Sequence, residues 1–265
     1  MNYASVLADI RSATPLVHCL TNTVVPSITA NVLLAVGAAP AMIDLPEEAE
    51  VFAGVASAVL INVGNGSSEQ HSAQRAAARA AQAAGTPWVL DPVAVGALPV
   101  RTALARELLS FRPAAVRGNA SEILGLSGAG AGGRGVDATD PVEVAVQTAQ
   151  RLATEHECVV AISGPTDIVV SRGRTTRVVG GHALMPLVIG TGCSLGATVA
   201  AALGANREAP RPHEAVVAAH AVFAAAGIVA GRQAEGPGSF EVAWRDALYA
   251  LRPEEVTELV TVEEA

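Results

Sequence analysis

Charge is scarce in this sequence, aromatic residues are scarcer, and cysteine occurs three times. Asp, Glu, Lys and Arg make up 16% of the 265 residues, and Phe, Trp and Tyr 3%. Cys19, Cys158 and Cys193 are far apart and odd in number, with no CxxC spacing and no paired histidine. That argues against a disulfide framework and a thiolate zinc site, and it fits a cytoplasmic setting. Acids outnumber bases for a net charge of −8. No Lys/Arg cluster offsets this balance, so nucleic acid is not an expected partner. Met1 to Ile10 has no basic region followed by an apolar stretch, so a secretory signal is not expected. No GxxxxGK followed by Ser or Thr occurs, which excludes a P-loop enzyme. No GxGxxG follows the first strand-like run, which argues against a nicotinamide dehydrogenase.

Ser12 to Ile43 and Val178 to Asn206 contain no Asp, Glu, Lys or Arg. Pro15, Pro26 and Pro40 interrupt the first stretch. Gly180, Gly181, Pro186, Gly190 and Gly192 interrupt the second. Neither supplies the roughly 20 continuous helical residues that a membrane span needs, and no membrane partner is expected.

What remains is 51% hydrophobic, enough for a substantial core, and residues 1–265 are expected to form a single domain. Short β-like runs alternate with alanine-rich helical ones. Strands are predicted at Leu16–Cys19, Ala41–Ile43, Ala58–Val63, Trp88–Leu90, Ala114–Val116 and Val159–Ile162. Helices are predicted at Ser27–Val36, Pro46–Val55, Glu69–Ala84, Arg101–Ser110 and Pro141–His156, the last opened by Asp140 as a cap with proline behind it. Strands apolar on both faces and separated by helices imply an α/β fold, a mostly parallel sheet covered by helices on both faces. Ile168–Ser171 and Thr175–Val179, joined through Gly173, read as an edge hairpin. From Cys193 onward the chain reads as mostly helical.

The run Ile189-Gly190-Thr191-Gly192-Cys193-Ser194 opens into a small-residue helix through Ala197 and Thr198. Glycines there let the backbone approach a ligand, and the first helical amides and the helix dipole favour an anion such as phosphate. Ligands of open α/β sheets sit outside the carboxyl ends of the strands. Asn22, Met42, Asp91, Arg117, Glu122 and Ser163 all fall at or just after such ends. Each has a structural reading of its own: Asp91 a turn cap, Glu122 a helix N-terminus, Arg117 a surface ion pair, Met42 core packing. Together they suit phosphoryl transfer. Asp91 and Glu122 would hold a hydrated Mg²⁺, Arg117 would neutralise nucleotide phosphate, and the Gly190–Ser194 amides would receive the transferring group.

Four segments carry a resemblance: Pro15 to Val25 with His18-Cys19-Leu20-Thr21-Asn22, Asp91-Pro92-Val93-Ala94-Val95-Gly96, Arg117-Gly118-Asn119-Ala120-Ser121-Glu122-Ile123, and Gly190-Thr191-Gly192-Cys193-Ser194-Leu195. In order and spacing they resemble the hydroxyethylthiazole kinases, a family of thiamine salvage. The resemblance implies a ribokinase-like fold and Mg²⁺-assisted, ATP-dependent phosphorylation of 4-methyl-5-(2-hydroxyethyl)thiazole. It further implies that Met42 and Gly190 contact the thiazole, that Arg117 and Ser163 bind ATP, and that Asp91 and Glu122 lie near the metal. A homotrimer is also implied, with sites at subunit boundaries to which Asn22 and its neighbours contribute. Cys193 stands where many ribokinase-like enzymes have an aspartate as base, which leaves the base unassigned. After Asn62-Val63-Gly64 the family often continues Thr-Leu, where this chain has Asn65-Gly66-Ser67-Ser68. Two other readings are a hydroxymethylpyrimidine kinase of the same fold and a non-catalytic thiazole-binding protein. Asn22 and Met42 argue against the first, and Asp91, Glu122 and Arg117 against the second.

Overall fold

Val59 and Ile61 point to one face of their strand, Ala58 and Leu60 to the other, and all four are fully buried. Period-two alternation of this kind sorts the core of the protein into two layers. The structure, a computed structural model, describes residues 3–128 and 142–265. The expected Asp140-Pro141 cap lies outside the described residues.

Among the described residues nine strands form one sheet in the order β2-β1-β3-β4-β5-β6-β7-β8-β9. Strands β1 (Leu16–Leu20), β2 (Ala39–Ala41), β3 (Ala58–Asn62), β4 (Trp88–Asp91), β5 (Ala115–Asn119) and β6 (Val159–Ser163) are parallel. Strands β7 (Thr166–Ser171), β8 (Arg174–Val179) and β9 (Thr261–Glu264) continue the sheet antiparallel. One face is covered by α1 (Ala4–Ala13), α2 (Pro26–Val36), α8 (Thr191–Ala205), α9 (Pro212–Gly231), α10 (Pro237–Ala250) and α11 (Pro253–Leu259), packed on Val17, Leu60, Val89, Ala115, Ala161 and Val169. The other face is covered by α3 (Pro46–Val55), α4 (Ser68–Ala84), α5 (Pro99–Leu108), α6 (Ala120–Ser127) and α7 (Val142–Glu155), packed on Val59, Ile61, Leu90, Val116, Val160 and Ile168. A parallel sheet with helices on both faces is the architecture that the apolar runs predict.

Helix α8 lies close on the sheet because its contact positions are small. A Cβ at Gly196 would come 3.1 Å from Leu60 Cδ1, and one at Gly204 3.1 Å from Ser57 Cβ. Helix α9 is long and apolar enough to cross a membrane, with a mean hydropathy of 1.7, but 78% of that window is buried inside the protein. It is a core helix.

The boundaries depart from expectation in several places. Strand β2 is Ala39–Ala41 rather than Ala41–Ile43, and α5 begins at Pro99 and ends at Leu108. Pro40 is tolerated in β2 because the strand is an edge. Helices α1 and α6 and strand β9 were not foreseen, and the C-terminal region expected to be mostly helical closes with that strand on β8.

Candidate active site

The alternation that sorts the core also builds the site. On β3, Ala58 and Leu60 face α8, and Asn62, two residues on, faces the same way. On β4, Val89 puts Asp91 on that face; on β5, Ala115 puts Arg117 there; on β6, Ala161 puts Ser163 there. Asn62 and Asp91 are register partners across β3 and β4, and Asn119 and Ser163 across β5 and β6. The polar side chains therefore converge where these strands meet the N-terminal half of α8.

Two hydrogen-bonded groups result. In the first, Asn22 Nδ2 donates to Cys193 Sγ (3.4 Å) and to Asn62 Oδ1 (3.2 Å), and Asn62 Nδ2 donates to Asp91 Oδ2 (2.7 Å). The Gly64 amide also donates to Asn62 Oδ1, at 2.9 Å. In the second, Arg117 Nε and Nη2 both donate to Ser163 Oγ, at 3.1 and 2.7 Å. Helix α8 joins the two. A Cβ at Gly192 would sit 2.9 Å from Arg117 Nη1, and one at Gly196 3.5 Å from Asp91 Oδ2. Gly190 caps α8 with φ +89° and no side-chain cap, a conformation that favours glycine, and it packs on Val25 and Ile28 at the start of α2. Side chains of the first turn bond backward, Ser194 Oγ to Gly190 O (2.7 Å) and Thr191 Oγ1 to Met185 O (3.0 Å), which fixes the turn.

The electrostatics mark out Asp91. It is fully buried, its Oδ1 has no hydrogen-bond partner, and burial pushes its pKa up to about 7 against the opposing Arg117 charge, with Glu122 adding to the rise. Cys193 follows the same logic. Burial, then the Asp91 charge, push its thiol up to about 11 despite Arg117 and the asparagine amides. The α8 N-terminus does not deliver a thiolate, and the thiol is protonated at neutral pH.

Glu122 is differently placed from a free metal ligand. Its Oε2 accepts the Asn119 amide (2.8 Å) and its Oε1 the Ala94 amide (2.9 Å), while Asn119 Oδ1 accepts the Glu122 amide (2.9 Å). Both carboxylate oxygens serve the backbone in a capping box that also ties down the segment after Asp91. Among the described residues no group of three or more His, Cys, Asp or Glu is arranged to hold a metal ion. Met42 lies just past β2, outside β1 on the sheet edge, and is 37% exposed. Asn65 accepts from Arg101 Nη2 (3.1 Å) and Ser67 caps α4, so the Asn65–Ser68 departure is taken up in starting that helix.

Asn62 is the site residue that the sequence reading passed over. Its one legible signal was a polar amide closing an otherwise apolar strand, Ala-Val-Leu-Ile-Asn, and it was absorbed into the strand itself. Every side-chain cation near the site is a guanidinium, for the chain contains no lysine at all.

Residues 7–254 match the model of the hydroxyethylthiazole kinase family. A hydroxyethylthiazole kinase of Corynebacterium glutamicum (strain R) is 55% identical over 260 residues, covering 98% of this chain and 97% of that protein. One of Klebsiella pneumoniae is 54% identical over 242 residues, covering 91% and 92%. Among solved structures, a hydroxyethylthiazole kinase protein of Pyrococcus horikoshii OT3 superposes with a TM-score of 0.90 at 35% identity, covering 99% of this chain and 98% of that one. A pyridoxal kinase of Staphylococcus aureus in complex with pyridoxal superposes with a TM-score of 0.63 at 16% identity, over 95% and 99%, a likeness of fold alone.

Proposed function

The chain belongs to the hydroxyethylthiazole kinase family, and on that basis we propose that it transfers the terminal phosphoryl group of ATP to the primary hydroxyl of 4-methyl-5-(2-hydroxyethyl)thiazole, a step of thiamine salvage. The chain is a kinase of ribokinase-like fold. Neither the pyrimidine kinase nor the non-catalytic reading is favoured by its relatives.

The observation that carries the mechanism is the approach of Arg117 to Gly192. It puts a guanidinium over the first amides of α8, beside a buried carboxyl with one unpartnered oxygen. Arg117, held by Ser163, binds the nucleotide phosphates. The first turn of α8, from Gly190 to Ser194, takes the transferring group, where the helix dipole and the Gly192 and Cys193 amides stabilise developing negative charge, the Thr191 and Ser194 amides being bonded to Val188 O and Gly190 O. Asp91 fits a magnesium ion: it is a hard oxygen donor whose Oδ1 lacks a partner and whose raised pKa marks an uncompensated charge. When bound, the ion neutralises phosphate charge during transfer. Glu122 adds negative charge to that site and, with both oxygens bonded to amides, would reach a bound ion only through water. Cys193 and Asn22 stand at the acceptor hydroxyl. A thiol with pKa about 11 is not a base at pH 7, and a loose phosphoryl-transfer transition state does not demand one.

Met42 and Gly190 line the thiazole side, as parts of a boundary between subunits of a homotrimer. In support, Val24 and Ile189, chain neighbours of Asn22 and Gly190, are 56% and 70% exposed on the single chain, and Met42 is 37% exposed. Residues 1–265 act as one kinase domain around one sheet. The thiols of Cys19, Cys158 and Cys193 are free, in keeping with a cytoplasmic enzyme.

The test is ADP release with ATP, Mg²⁺ and hydroxyethylthiazole, beside hydroxymethylpyrimidine and no acceptor. Release that requires the thiazole is expected. Release with the pyrimidine alone would move the substrate, and binding of thiazole without release would remove the catalytic reading. Light scattering on the 26.7 kDa chain reads the trimer.

A further inference from the structure

Helix α9 is alanine, valine and phenylalanine through its middle, yet at its centre stands His220, which is completely buried. A buried imidazole costs stability unless a partner satisfies it. Here the partner is Asp167 at the start of β7, with Oδ2 2.6 Å from His220 Nδ1. Ring atom Nε2 is buried with no hydrogen-bond partner, so the Asp167 contact is what orients the ring. The other Asp167 oxygen, Oδ1, accepts the Gly164 amide at 2.9 Å. Burial alone would raise the Asp167 pKa, but the His220 charge and hydrogen bond, the Gly164 amide and the Arg117 charge together hold it below the usual carboxylate range. An ionised carboxylate only accepts, so His220 Nδ1 carries the proton between them.

Gly164 directly follows Ser163, whose Oγ takes both Arg117 hydrogen bonds. Gly164 and Pro165 are exposed, so the turn has little packing of its own to fix it. None of the chemistry assigned above uses His220 or Asp167. We propose that they are a positioning pair for the nucleotide: His220 fixes Asp167, Asp167 fixes the Ser163–Gly164 turn, and the turn fixes the Arg117 guanidinium. This rests on the reading that Arg117 and Ser163 serve ATP.

The test compares the full chain with His220→Leu and His220→Asn, whose amide Nδ2 can stand in for the Nδ1 donor. Affinity for a non-hydrolysable ATP analogue with Mg²⁺ is read by calorimetry without acceptor, and steady-state kinetics give KM for each substrate. His220→Leu is expected to weaken analogue binding and raise KM for ATP about tenfold, the scale of one lost hydrogen bond to a charged group, with KM for the alcohol unchanged. His220→Asn is expected to recover most of that loss. Wild-type affinity in a folded His220→Leu, equal losses for both substrates, or no recovery by His220→Asn would overturn the proposal. Should His220→Leu fail to fold, Asp167→Ser is read by the same criteria, with Asp167→Asn as its conservative counterpart. A wild-type chain that binds the analogue but does not phosphorylate hydroxyethylthiazole would defeat the assigned reaction and leave this comparison intact.

Discussion

Asn62 Nδ2 lies 2.7 Å from Asp91 Oδ2, and the other oxygen of that carboxyl is buried with no partner. One neutral amide thus supports a charge that burial opposes, and Asn22 and the Gly64 amide in turn hold the oxygen end of Asn62.

Removing that support should show first in pH dependence. The Asn62 hydrogen bond lowers the Asp91 pKa, so in Asn62→Ala the pKa rises further above about 7. The acidic limb of kcat/KM against pH is expected to move to higher pH, with activity at pH 7 down about tenfold or more. An unmoved limb would detach Asp91 ionisation from turnover.

Asp91 itself should trade stability for chemistry. Its folded pKa, about 7, is raised above its ordinary value of 3.8, so the folded state binds the proton more tightly than the unfolded one. Its contribution is fully present below about pH 4 and is lost as pH rises through 7, a loss on the order of 4 kcal/mol without metal. Asp91→Asn, with no charge to bury, is expected to melt higher than wild type at pH 8.5 and near it at pH 4, while losing Mg²⁺-dependent turnover. Added Mg²⁺ is expected to raise the Tm of the wild type but not of the variant. An equal rise in both would move the metal elsewhere.

Cys193 should behave as a sluggish thiol. With its pKa near 11, against about 12 for Cys19 and Cys158, iodoacetamide is expected to modify Cys193 first, slowly at pH 7 and faster through pH 9 and 10. Cys193→Ser, of similar shape, is expected to keep turnover within about tenfold. Rapid alkylation at pH 7 would restore the thiolate and with it a basic role.

Gly192 should be intolerant of a single methyl group. Its Cβ would come 2.9 Å from Arg117 Nη1, so Gly192→Ala is expected to displace the guanidinium and raise KM for ATP about tenfold, leaving Tm within a few degrees. An unchanged KM for ATP would separate Arg117 from the nucleotide.

Much of this was legible in the sequence because the sheet is parallel and doubly covered. Runs such as Trp88-Val89-Leu90 are apolar on both faces, and the first polar residue after each run is the one the topology aims at the cleft. Asp91, Arg117 and Ser163 are read that way, and the structure brings them together beside α8. The same rule missed Asn62, since it closes its strand within a run read through to Val63, and only cross-strand register shows it facing Asp91. Strand β2 was misplaced because Ala39-Pro40-Ala41 has little β propensity and pairs on one side alone. Strand β9, Thr-Val-Glu-Glu, is mostly exposed, and its pairing with β8 is reinforced by a long-range ion pair, Arg174 with Glu264 at 2.7 Å. The sequence offers Glu122 both as a helix N-terminus and as a partner of hydrated Mg²⁺; its second amide partner, Ala94, lies 28 residues upstream, beyond any local pattern.

Helix α9 packs against β6, β7, β8, α1, α8, α10 and α11, so no single neighbouring element can lift away and wet it. Its central amides should be among the last in the molecule to exchange with deuterium, opening only when the whole domain unfolds. The turn that carries Ser163 takes its bearing, through Asp167, from a histidine in that slow-exchanging interior. A surface loop then keeps its place over many rounds of nucleotide arrival and departure, since its anchor does not share in the breathing of the surface around it.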